Sequence, residues 1–217
     1  MKEYEAFYRQ NPERWTADDD AICRTVSRYK PAPERMLDVG CGNGHTLAKM
    51  RDVFPKAWLY GVDLSQEALH MASDKVPSGV FKQGFVEQYN PGVFFDVITV
   101  VGVAEHFIDL YEGLMRVAGL LTKDGICYLE LPNNLAYSPG AHIYRRLECG
   151  SGQMEWHLGR EEWEQLIGKA GFEILEARSG NSLVNEFVWV CGSASHAWHT
   201  NTTLDMPMRS CGKDMPV

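Results

Sequence analysis

Apolar residues in this chain alternate between short continuous runs and stretches with helical spacing, and the alternation repeats from one end of the sequence to the other. Apolar-rich runs near 36–39, 58–62, 79–83, 95–101, 125–131, 172–178 and 185–191 read as strands. Between them, Leu47, Met50 and Phe54 mark one helix and Pro55 stops it. Leu110, Leu114, Val117 and Leu121 mark another, closed by Lys123-Asp124-Gly125. A third has Trp163, Leu166, Ile167 and Ala170 on one face, an acidic first turn at Glu161-Glu162, and Gly171 as its terminator. Ser65 is placed to cap a further helix after the second strand. Strands separated by helices predict an α/β fold with a mostly parallel sheet and helices on both faces. The last two strands have no helix between them, so they predict a hairpin and one antiparallel strand.

The first strand breaks into a run of alternating glycines, Asp38-Val39-Gly40-Cys41-Gly42-Asn43-Gly44, and a helix follows at once. Glycine belongs where the backbone takes positive φ or where a ligand must approach closely. Nineteen residues beyond Gly44 the second strand ends in Asp63. An acid at that strand tip, about 20 residues past the glycine turn, is placed to hold ribose hydroxyls. The dinucleotide fingerprint needs a third glycine where this chain has His45, so the spacing departs from a pyrophosphate cradle.

The glycine turn resembles the first motif of the class I S-adenosylmethionine (SAM) dependent methyltransferases, acidic-x-G-x-G-x-G. Phe94-Phe95-Asp96-Val97-Ile98-Thr99-Val100-Val101 looks like that family's fourth strand, and Glu105-His106 after it is similar to the branch of quinone and small-molecule O-methyltransferases. Gly125 to Pro132 looks like the fifth strand, and matches run from about residue 36 to 191. The resemblance implies a Rossmann-like seven-stranded sheet with SAM as cofactor and S-adenosylhomocysteine as product. On it, Asp38, Gly40, Gly42 and Gly44 serve the methionine end and Asp63 the ribose. Leu64, Gly84, Phe85 and Val86 line the adenine slot, and Val101 closes the site at the fourth strand. Many relatives carry an acid after the third strand for the adenine amino group. Here Gly84 is followed by Phe85-Val86-Glu87, which puts that one contact in doubt.

With 217 residues, the chain suits one domain. Three regions flank or interrupt the core of 36–191: an N-terminal helical cap over 1–35, a variable acceptor segment over 132–159, and a C-terminal tail over 192–217. A net charge of −8 without clustered Lys and Arg disfavours a nucleic-acid partner. No apolar run is long enough for a membrane span, no signal-peptide core opens the chain, and the six cysteines have no C-x-x-C pair. A cytoplasmic protein is the expectation. His196, His199, Cys191 and Cys211 lack the paired framework of a metal site, so no metal is expected.

The acceptor is expected to be a small molecule methylated on oxygen or nitrogen. The alternatives are a protein or RNA methyltransferase, or a SAM-binding sensor or partner subunit without transfer. A hydroxyl acceptor needs a base, and histidine titrates near neutrality. His106 follows the fourth strand, at the sheet edge where open α/β folds bind ligands; its bland role would be to pack under the cofactor. His142 and His157 lie in the variable segment and are further candidates, as against solvated loop histidines. Arg145-Arg146 could pin an anionic acceptor, as against forming an exposed helix face.

Overall fold

The computed structural model describes residues 18–132, 145–148, 154–179 and 186–193, with the side chains of 145–148, 154 and 186 excepted. Residues 35–193 build a seven-stranded sheet: β1 (Arg35–Val39), β2 (Trp58–Asp63), β3 (Val80–Gln83), β4 (Phe95–Val101), β5 (Leu121–Pro132), β8 (Phe172–Ser179) and β9 (Glu186–Ser193). A separate two-stranded hairpin, β6 (Arg145–Glu148) and β7 (Met154–His157), lies between β5 and β8 in the chain. The helices are α1 (Asp19–Tyr29), α2 (His45–Val53), α3 (Gln66–Lys75), α4 (Leu110–Gly119) and α5 (Arg160–Lys169).

The sheet order is β3-β2-β1-β4-β5-β9-β8, and β9 runs antiparallel to both β5 and β8. Every other pairing in the sheet is parallel, and the seven strands and the final hairpin match the periodicity of the sequence. Alternate strand residues feed two cores. Met36, Leu59, Val97, Ile126 and Tyr128 meet Ile22 and Val26 of α1 and Leu47 and Met50 of α2. Leu37, Ile98, Val100, Leu129 and Trp189 meet Leu114 and Val117 of α4 and Trp163 and Ile167 of α5.

Local chemistry sets the element ends. Asp18, Ser65 and Asp109 cap α1, α3 and α4 by accepting backbone N–H groups three residues on. The Glu162 carboxylate accepts the Gly159 N–H at the start of α5, and Gly171, at φ +95°, ends its C-terminal turn. Two expectations fail for physical reasons. Leu121 opens β5 instead of ending α4, because β5 starts four residues early and then shifts register against β4 between the Phe95 and Val97 pairings. Arg145 and Arg146 lie on a strand, in register with His157 and Trp156, and not on a helix.

Crossover order places the C-terminal ends of β1, β2, β3 and β4 side by side. Gly44 starts α2 there at φ +81°, and a Cβ on it would lie 2.8 Å from the Cα and the Cβ of Ala72 in α3. Gly44→Ala therefore combines a left-handed backbone with a clash against a helix. It should destabilise the chain by about 1–3 kcal/mol, read from urea unfolding. Wild-type stability in that variant would contradict the tight α2–α3 approach.

Candidate active site

The glycine turn is held by its own amides. Gly40 and Cys41 both donate to the Val62 carbonyl, at 2.7 and 3.2 Å, and Gly44 donates to Cys41 O at 2.9 Å. Gly42 donates to Asp63 Oδ2 at 2.9 Å. These four N–H groups are committed within the protein, and the acids beside them would repel a phosphate. The turn is thus not an anion nest. Positive φ at Gly40 (68°), Gly42 (50°) and Gly44 (81°) lets the backbone make this tight path. Cys41 packs against Gly61, where any Cβ would meet its sulfur at 2.7 Å, and burial pushes its thiol well up, which suits packing and not nucleophilic attack.

Two buried carboxylates stand at the strand ends. Asp38 lies in register with Thr99 of β4, whose hydroxyl donates to Asp38 Oδ1 at 2.6 Å. Burial raises the Asp38 carboxyl to about 7, against the pull of the Thr99 hydrogen bond, and the charges of Asp19 and Asp63 add to the rise. Asp63 ends β2. Its Oδ1 accepts from Ser65 N at 2.8 Å, and its main-chain carbonyl accepts from Gly84 N at 3.0 Å. A carboxylate has about four acceptor positions, so anchoring backbone amides is compatible with also receiving sugar hydroxyls.

The turn after β3 forms the next wall. Val86 is buried, Leu64 and Phe85 are half-buried, and nothing lies within 4 Å of the position a Cβ on Gly84 would take. Gln83 Nε2 donates to Leu64 O at 2.9 Å and fixes that backbone. Glu87 Oε1 accepts from Ile108 N at 3.0 Å, tying this turn to the one that follows β4. There Val101 is half-buried, and Gly102, at φ +61°, donates to Glu130 O.

His106 sits on the short helical turn Ala104–His106 beyond β4. The β6–β7 hairpin docks on it: Trp156 Nε1 donates to Phe107 O at 2.8 Å, and Glu155 reaches His106. His157, two residues along β7, reaches the other oxygen of Glu155. The structure therefore gathers His106 and His157 around one carboxylate, while His142 lies outside the described residues. Glu155 had no signal in the sequence, because neither a motif nor a period announces the hairpin. Asp19 was also missed: it accepts from the Thr46 hydroxyl of α2 at 2.8 Å and adds a third acid near the glycine turn.

Strand order, crossovers and this glycine turn define a Rossmann-like α/β protein. The chain matches the family described as a methyltransferase domain over residues 10–177, and it belongs to that family. It is 32% identical over 125 residues to a trans-aconitate 2-methyltransferase of Acidovorax sp. (strain JS42), a match covering 56% of this chain and 46% of that protein. The chain thus spans about half the length of that relative. It is 27% identical over 188 residues to a ubiquinone biosynthesis O-methyltransferase of Rhodopseudomonas palustris (strain TIE-1), covering 78% and 72%. Among solved structures, the fold matches a Burkholderia thailandensis 1,6-didemethyltoxoflavin-N1-methyltransferase with bound S-adenosylhomocysteine at TM-score 0.72 and 17% identity, covering 89% and 87%. It also matches a Clostridium acetobutylicum S-adenosylmethionine-dependent methyltransferase at TM-score 0.70 and 16% identity, covering 89% and 99%.

Asp38 gives the site a pH signature. Its raised carboxyl keeps a proton in the folded chain that the unfolded chain has already released, between about pH 4 and about pH 7. Stability must then fall as pH rises through that window. Wild type should lose roughly 1–4 kcal/mol between pH 4 and 8 from this group, the worth of one to three pKa units, and Asp38→Asn should flatten the loss. Identical pH profiles of unfolding in the two proteins would contradict the buried carboxyl.

Proposed function

We propose that this chain transfers a methyl group from S-adenosylmethionine to an oxygen or nitrogen of a small molecule. The observation that carries this is the glycine turn, whose N–H groups are spent internally and whose surroundings are carboxylates. Such a site disfavours a pyrophosphate and suits a cationic nucleoside. When bound, S-adenosylmethionine supplies an electrophilic methyl on a sulfonium. Asp63 would hold the ribose hydroxyls, and Leu64, Gly84, Phe85 and Val86 would take the adenine ring. Asp38 with Gly40, Gly42 and Gly44 would face the cationic amino-acid end. Val101 ends the strand that leads to the acceptor side.

The remaining work is positional. Rigid strand ends align the acceptor with the methyl, which supplies much of the rate of an in-line displacement. His106 or His157 can hold a hydroxyl's proton as the bond forms. None of the described helices is long and apolar enough to cross a membrane. Among the described residues four free cysteines, at 23, 41, 127 and 191, are buried, which suits a reducing compartment and supports a cytoplasmic location.

Calorimetry should show micromolar binding of S-adenosylmethionine and S-adenosylhomocysteine and none of NAD. Asp63→Asn should weaken both by about 1.5–3 kcal/mol, the scale of hydrogen bonds to a charged group. Tight NAD binding with no S-adenosylmethionine binding would sink the proposal.

A further inference from the structure

We propose that Glu155 is a positioning residue that holds the imidazoles of His106 and His157 as one proton-accepting unit for a hydroxyl acceptor, taking the methyl-transfer reading above as its ground. Glu155 Oε1 lies 3.9 Å from His106 Nε2, and Oε2 lies 3.7 Å from His157 Nε2. Both separations are in ion-pair range and longer than a hydrogen bond; such contacts often tighten only when substrate is bound. The three side chains are each about a quarter exposed, at 23%, 24% and 28% for His106, Glu155 and His157, so a small molecule can reach them.

The grouping follows from the hairpin. Glu155 and His157 are two apart on β7 and share a face. Trp156 is pinned to Phe107 O, one residue past His106, and Leu158 is buried in the core behind it. Two imidazoles and a carboxylate are groups that can take up and release a proton near neutrality. A carboxylate only accepts hydrogen bonds, and it faces Nε2 of both rings.

A hydroxyl is the acceptor that needs this unit. Its O–H bond breaks, the proton goes to an imidazole nitrogen, and the electron pair forms the O–CH3 bond. The pair of the broken methyl–sulfur bond stays on the sulfur of the methyl donor, now a neutral thioether. The imidazolium formed lies beside the Glu155 carboxylate, which compensates its charge. A neutral amine can attack without such help, and a carboxylate acceptor has no proton to give and would face the negative charge of Glu155.

The test uses the full chain with Glu155→Gln, Glu155→Asp and His157→Gln. Imidazole NMR titrations read the coupling without any acceptor: His157→Gln should displace the His106 titration curve in the wild-type background and leave it in place in Glu155→Gln. Labelled S-adenosylmethionine is then offered with catechol, an enol acid and a hexose, beside aniline and an aminosugar. Transfer to a hydroxyl probe is expected. Glu155→Gln should cut its kcat at least about tenfold, with KM and S-adenosylmethionine affinity within about twofold, and Glu155→Asp should recover part of the rate. A His106 ring indifferent to both partners, an unchanged kcat, or transfer confined to amines or absent in protein that binds S-adenosylmethionine overturns the proposal. Failure to bind S-adenosylmethionine overturns the cofactor reading instead.

Discussion

Asp63 is the residue on which the candidate site at the sheet edge depends. Its carboxylate accepts the Gly42 and Ser65 amides and its carbonyl accepts the Gly84 amide, so one residue at the end of β2 ties down three loops. Remove that carboxylate and the glycine turn and the start of α3 each lose an anchor, while the carbonyl still holds Gly84. Glu87 extends the lacing to the turn after β4 through Ile108. A site built this way is set by backbone hydrogen bonds within the sheet edge, which is why its shape does not depend on long, mobile side chains.

The same economy separates the two ends of the site. Around the glycine turn amides are consumed, and burial, with the charges of Asp19 and Asp63 adding to it, drives Asp38 toward its protonated form. A cation placed beside these acids would favour their charged forms. Beyond β4, Glu155 lies within ion-pair range of two imidazoles that can gain or lose a proton. One end thus offers charge complementarity, the other exchangeable protons.

Much of this was legible in the sequence, because the relevant signals are local. The run Met36 to Gly44 carries strand, turn and helix start in nine residues, and Asp63 follows at the separation the βαβ unit requires. Apolar-rich runs located the strands of the sheet, even β3 and β8, which carry charged residues, and the missing helix before β9 disclosed its direction. What stayed hidden depends on distance in space. The β6–β7 hairpin has no apolar period of its own and is held by Trp156 on Phe107 and by Leu158 in the core. Glu155 and Asp19 are ordinary acids until the fold brings His106 to one and Thr46 to the other.

The central claim is that the edge laced by Asp63 is a seat for a cationic nucleoside. A crystal structure of the chain with S-adenosylhomocysteine tests it most directly. The account predicts ribose hydroxyls on the Asp63 carboxylate, adenine between Leu64 and Phe85-Val86, and the amino end beside Asp38. Nucleoside density away from the glycine turn, or a ribose turned from Asp63, would contradict it.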